Sequence, residues 1–443
     1  MSGEFIIPEA DVVYLIPIDL SNLLKRYNYD VSVFLKILKE IGKIDDYYIP
    51  ADIKERPQIL KDMTDDNKLF FASDIDYFEE DYLSLKRFGR ADLRDFQIKI
   101  RTNSTVLDCK IKPYLTVFNV GVGIYTFWIR RISNATKNDV IDLCFINKIT
   151  VLENGKKERK VIDFIIDRIG SLFNNNIKIN KEDLLENMLT MIFIKNFPFE
   201  SENLPYDFIE TYKGHIFDIL TLPERYYGKT YDYHKTRTRE YIDQVLRNIS
   251  VRHDFPVFVS NNRFLGIKIM TEKPIEDYDF MKRIIFNIVL YSNAVLQLRL
   301  LKNINSQLSN IIKNPKQLSI GRLVSMREAI FRDLEEYINT RIQRYEIWRK
   351  AMEDAAAELG IPELYKATQE RLEMLNMYIQ TAYQKASNVL FIVLNSLVII
   401  SAVIEILSYF FFGISLAVAL SAVIVSLLIW IVISYKYFAM YLR

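Results

Sequence analysis

From Ser387 to Tyr435 a single charged side chain, Glu405, interrupts a run of Ile, Leu, Val, Phe, Ala and Ser, bracketed by Lys385 and Lys436. One helical crossing of a bilayer takes about 20 apolar residues, so the run predicts two. Gly413, directly after Tyr409-Phe410-Phe411-Phe412, falls where a bend belongs. The expected element is a transmembrane hairpin over 387–436 with a short tail over 437–443. Trp430, Tyr435, Tyr437 and Tyr441 fit the aromatic belt of a membrane interface. Arg371 and Lys385 precede the first crossing, Lys436 and Arg443 follow the second, and the connector has neither Lys nor Arg. The positive-inside rule then places both ends in the cytoplasm of a two-crossing protein of the cell membrane.

Upstream, over 276–386, apolar positions recur at helical spacing. Met281, Ile284, Ile288, Val295, Leu298, Leu301 and Leu308 predict a helix from about Asp277 to Ile311. After Asn314-Pro315, the stripe through Leu323, Ile330, Leu334, Ile338, Tyr345, Trp348 and Met352 predicts a second, from about Ser319 to Leu359. Gly360 is placed to end it and Pro362 to open the next. That third helix carries Leu364, Leu372, Leu375 and Ile379 and meets no breaker before the first crossing. Continuous from Pro362 to Ser408, it would span roughly 70 Å, about twice a bilayer, so a stalk should project from the membrane.

Over 1–275 the period drops toward two. Val12–Ile18, Val106–Ile111, Tyr114–Phe118, Val122–Ile129, Pro256–Ser260 and Phe264–Met270 read as strands. Asn119-Val120-Gly121 and Glu153-Asn154-Gly155-Lys156 read as turns. Leu23–Ile41 and Lys181–Ile194 read as helices. The fold class is therefore an α+β cytoplasmic domain, possessing two subdomains or one, followed by a long helical stalk and a C-terminal two-helix transmembrane hairpin.

Charge and composition narrow the chemistry. The 443 residues hold 58 basic and 56 acidic side chains, a formal charge of +2, which argues against a general nucleic-acid binder. Cys109 and Cys144 make no disulfide framework. Met1-Ser2-Gly3-Glu4-Phe5 lacks the basic and apolar regions of a signal peptide. His215, His234 and His253 match no metal spacing, and a structural role is the favoured reading. Gly121-Val122-Gly123 completes no phosphate-binding motif. The basic and aromatic stretch Arg225–Arg237 suits a phosphate-bearing ligand or RNA or, more simply, a solvated loop or helix cap. The acidic run from Asp62 to Asp81 offers carboxylates for a divalent cation but lacks calcium-loop spacing. No nucleophile and base pair is visible, so no enzyme is expected, and no cofactor apart from a possible divalent cation.

Glu405 is the sharpest single residue, because a central carboxylate in a bilayer costs on the order of 2.5–3.5 kcal/mol. Asn388, Asn395, Ala402 and Glu405 fall on one heptad seam. In a homo-oligomer that seam would line an ion path; alternatively Glu405 reaches water at the outer interface. The plan over 277–443 resembles the CorA family of divalent-cation channels: cytoplasmic α/β domain, long stalk helix, two crossings, basic end. That resemblance implies a pentamer with the first crossing lining the pore. The family's Gly-Met-Asn signature is absent, and the corresponding stretch reads Tyr409-Phe410-Phe411-Phe412-Gly413-Ile414. Pro362-Glu363-Leu364-Tyr365, Arg371–Asn376 and Ile404-Glu405-Ile406-Leu407, with Val117–Gly121 before Phe127-Trp128, are similar to the membrane-anchored mitochondrial translation regulators and their microbial relatives. The leading expectation is a CorA-like protein that passes or senses ions, gated through its stalk. The alternative is a membrane-anchored scaffold with a partner-binding cytoplasmic domain.

Overall fold

A computed structural model describes residues 5, 7–133, 135–153, 157–246, 249, 252, 254–260, 262–270, 273–313, 320–338, 344–412, 421, 424, 425, 428 and 431. The chain forms two compact units, one of residues 1–300 with 339–362, the other of 301–338 with 363–443.

The first unit is built on an 11-stranded sheet. Its strands are β1 (Glu9–Asp19), β2 (Asp46–Tyr48), β3 (Phe88–Asp92), β4 (Phe96–Arg101), β5 (Val106–Phe118), β6 (Val122–Ser133), β7 (Thr150–Glu153), β8 (Lys157–Lys160), β9 (Leu189–Pro198), β10 (Val257–Ser260) and β11 (Arg263–Met270). The order is β10-β11-β9-β1-β6-β5-β4-β7-β8, with β3 joining β2 to β5. All pairs are antiparallel except β11 with β9. Central β1 is buried from Ala10 to Ile18, which explains its unbroken apolar run: a strand covered on both faces has no polar side to alternate.

Two expected strands, Val106–Ile111 and Tyr114–Phe118, are one strand, β5, running through Lys112-Pro113. Pro113 lacks an N–H, and one edge of β5 changes partner there: β4 pairs with Val106–Ile111 and β3 with Tyr114–Phe118. The turn at Gly121 is as expected, with φ +82°. A Cβ there would lie 2.8 Å from Ser21 Cα, so the glycine is required by packing as well as by the turn. Strands β7 and β8 pair across Glu153 and Lys157; residues 154–156 of that predicted turn lie outside the described ones.

Two predicted helices are corrected. Lys181–Ile194 is helical only to Asn187; Leu189–Pro198 is β9, between β1 and β11. A short buried apolar run reads equally as helix or strand, and here pairing on both edges decides it. Leu23–Ile41 breaks at Asn28 and Tyr29, both at positive φ, and restarts at Val31 under an Asp30 cap, whose Oδ1 accepts from Val33 N at 3.1 Å.

The helices that matter below are α1 (Asp65–Tyr77), α2 (Lys137–Leu143), α3 (Tyr206–Thr221), α4 (Asp277–Lys313), α5 (Ile320–Ile338), α6 (Glu346–Glu358) and α7 (Ile361–Phe412). The single helix expected over Ser319–Leu359 is two, α5 and α6. Residues 339–343 lie outside the described ones, as do Asn314 and Pro315. Tyr345 is extended ahead of α6, and Arg344 N donates to Tyr77 O at 2.9 Å, a bond that a continuous helix would forbid. Gly360 ends α6 at φ +69°.

In the second unit, buried Asn305 of α4 is the polar tie to α7. Its Nδ2 donates to Thr368 Oγ1 at 2.5 Å, and Arg371 Nη1 donates to its backbone O and Oδ1 at 3.0 and 2.9 Å. Leu372, Leu375 and Ile379 are buried. Beyond Ile379, every residue of α7 up to Ser408 is half-buried or exposed. The 52 residues of α7 make a helix about 78 Å long. Gly413, Lys436, Arg443 and the aromatic belt lie outside the described residues; between them Ser421, Ile424, Val425, Leu428 and Ile431 are helical and exposed.

Among the described residues, two helices are long and apolar enough to cross a membrane. In α4 the most apolar window has mean hydropathy 1.6 and is 83% buried; in α7 the values are 2.6 and 0%. The first is satisfied by protein. The second is not.

Candidate functional site

The predicted path residues lie on the bare part of α7. Asn388, Asn395 and Ala402 are exposed, whereas Glu405 is half-covered and shares that state with Leu390, Leu394, Leu397, Ser401 and Ser408. The half-covered positions repeat at spacings of three and four, one face of a helix. Ser408 Oγ donates to Glu405 O at 2.9 Å, and Ser396 Oγ to Ile392 O at 2.8 Å, so both hydroxyls are satisfied locally.

A denser polar centre lies in the first unit, where α2 and α3 meet the loop after α3. Its hub is Asp218, wholly buried on α3. Asp218 Oδ2 accepts from Lys137 Nζ at 3.0 Å and lies 2.5 Å from His234 Nδ1, while Oδ1 accepts from His234 N at 2.6 Å. Lys137 Nζ also donates to Asp232 Oδ1 at 2.9 Å and Tyr231 O at 2.8 Å, and lies 3.3 Å from His215 Nδ1. His215, Asp218 and Asp232 offer ligand atoms within 4.8 Å of one another. That is metal-ligand chemistry, but the Lys137 ammonium stands among the same atoms and supplies the positive charge. Burial first, then the Lys137 and His234 charges, hold the pKa of His215 below its ordinary value. Hydrogen bonds from Lys137 and Lys235 hold the Asp232 carboxyl far below the carboxylate range.

Next to it Asp139 closes the capping box of α2. Its Oδ2 accepts from Thr136 N and Oγ1 at 3.0 and 2.7 Å. Its Oδ1 accepts hydroxyls of Ser104, Thr102 and Thr105 at 2.6, 2.7 and 2.8 Å. Asp142 accepts Tyr231 Oη at 2.7 Å and Asn103 N at 2.9 Å. Three carboxylates are thus used to fix two loops to two helices.

Of the sequence candidates, the structure brings His215 and His234 together, ring centroids 5.4 Å apart; His253 lies outside the described residues. The stretch Arg225–Arg237 is folded onto α3: Tyr233 stacks on Phe217 at 5.8 Å and 11°, and the Arg237 guanidinium covers the Tyr233 ring at 4.6 Å. Part of the acidic run is paired. Asp74, fully buried, takes Arg90 at 2.8 Å and Tyr48 Oη at 2.5 Å, and Asp66 pairs with Lys112. Sequence reading missed Lys137 and Asp218. A basic side chain in a helix's first turn and an acid on another helix carry no local signal that they meet. No protein-family model, characterised protein or solved structure matches the chain.

Proposed function

We propose that this is a membrane-anchored scaffold: an α/β body for binding partners, attached to a bilayer through the apolar part of α7. The observation that carries the reading is the window of α7 with mean hydropathy 2.6 and no buried residue. Phe391, Ile392, Val398 and Ile399 are each more than 60% exposed, and such a surface in water would drive aggregation. Lipid satisfies it. The helix needs no break to join the packed Leu372–Ile379 segment to the exposed one.

The test is extraction of membranes with alkaline carbonate. The full chain should stay with the pellet. The double variant Ile399→Arg/Val403→Arg should move to the supernatant, since each central Arg costs about 2.5–3.5 kcal/mol in a bilayer. Native chain in the supernatant as a discrete soluble particle would overturn the anchor.

Ion passage is a second reading, favoured by the exposed Asn388 and Asn395, seven residues apart on an otherwise apolar surface. Unpaired amides facing lipid invite a second copy, and a symmetric oligomer could enclose a path. Mass measurement in detergent decides first, because a monomer with two crossings encloses nothing. For an oligomer, ion flux in liposomes unchanged by both Asn395→Leu and Glu405→Ala would remove those residues from any path.

A further inference from the structure

Within the α/β unit, α4 opens with one face turned into a cavity of about 750 Å³. Asp279, Lys282, Arg283, Phe286, Asn287 and Leu290 line it; their spacings of three and four are a single helical stripe. The volume is that of a small-molecule site. Its apolar wall is completed by Phe255, Val257 and Tyr291, and Arg252 stands at the exposed side.

Three basic residues, Arg252, Lys282 and Arg283, and two acidic ones, Asp76 and Asp279, line the cavity, an excess of one positive charge. Arg283 Nη2 reaches Asp254 Oδ2 only at 3.5 Å, and that oxygen already accepts Lys268 Nζ at 2.5 Å. Arg283 Nη1 is buried and has no partner among the described residues. A buried unmade hydrogen bond is destabilising, more so for a charged group. Burial first, and the neighbouring Arg252 charge, disfavour the Arg283 cation, against the attraction of Asp254 and Asp279. The Phe255 ring lies 5.5 Å from the guanidinium, so the cation borders an aromatic surface.

We infer that this cavity is a binding site for a small amphipathic anion, a carboxylate or phosphate monoester on an apolar body, with Arg283 receiving the anionic head. The head would meet the cationic side of the lining, Arg283 with Lys282 and Arg252. The body would cover Phe255, Phe286 and Leu290. The inference is independent of the membrane reading, since every lining residue belongs to the α/β unit.

Titration calorimetry on the full chain in phosphatidylcholine nanodiscs tests it, with empty discs as blank and 1-naphthyl phosphate as probe. The probe should bind at least tenfold more tightly than 1-naphthol or inorganic phosphate, because only it has both parts. Arg283→Met should weaken it at least tenfold, and the exposed-site variant Arg252→Ala about threefold, both with unchanged melting temperature. Oleoyl lysophosphatidate in the discs reports the source of the natural head group: displacement of the probe points to lipid, retention to a soluble ester, and both keep the site. Absence of probe heat, equal affinity for 1-naphthol, or full affinity in both variants would overturn the inference.

Discussion

Asp92 shows how one residue sets a stability profile. It sits on β3 with Oδ2 accepting Thr64 Oγ1 at 2.6 Å, while Oδ1 is buried without a partner among the described residues. Burial, then the charges of Asp46, Asp45 and Asp95, push its pKa up to about 6, and burial does the same for Asp11 on β1. A carboxyl whose folded pKa exceeds its unfolded value near 3.8 favours the fold when protonated. Stability from this source is full below pH ~4 and lost as pH rises to ~6, about 3 kcal/mol for such a shift. Asp92→Asn keeps an acceptor for Thr64 and removes the charge. Chemical denaturation should find the variant more stable at pH 7.5 by about 2–3 kcal/mol and no different at pH 4. Equal stability at pH 7.5 would mean that Asp92 is not penalised in the fold. Asp11 differs in use: its two oxygens accept Trp128 Nε1 and Arg131 N at 2.8 Å each, holding the bulge where Arg131 takes φ +57°. Neither strain was legible from sequence, because desolvation depends on what the fold places around a carboxylate.

At the scale of elements, legibility followed the length and solvent exposure of each segment. The β5–β6 hairpin could be read from its turn, and α4 and α7 from long periodic stripes. Strand β9 was misread because Leu189–Ile194 is apolar but for Thr190, and one polar position does not show a period. The Asn28–Tyr29 break was missed because a Tyr at positive φ is rare. The polar centre on α2 and α3 lay beyond sequence reading altogether, since Lys137 and Asp218 are 81 positions apart. Its energetics can still be argued. Lys137→Ala strips a buried carboxylate of its main cation, which typically costs about 3–5 kcal/mol; His234, still bonded to Asp218, keeps the loss at the lower end. The same change vacates the space among His215, Asp218 and Asp232. Zinc should therefore raise the melting temperature of Lys137→Ala and leave the native chain unmoved. If zinc has equal effect on both proteins, the ammonium does not occupy a metal-like position.

On the scale of the whole molecule, the described residues contain two helices that hydropathy alone treats alike, and the fold treats them oppositely. Ile288 of α4 is wholly buried, and Ile399 of α7 is 63% exposed. Truncating each to Ala removes the same atoms. In α4 the loss leaves a cavity, costing about 2–5 kcal/mol. In α7 no protein surrounds the side chain, and a substitution there should fall within about 0.5 kcal/mol. Denaturant melts of both variants in one detergent, followed by near-UV circular dichroism of the aromatic-rich α/β unit, measure this difference. A large loss for Ile288→Ala with none for Ile399→Ala is the result expected if α7 meets only lipid. Comparable losses in both would mean that Ile399 packs against protein, as a second copy of the chain would provide, and would move the weight of evidence from an anchored monomer toward the oligomer that ion passage requires.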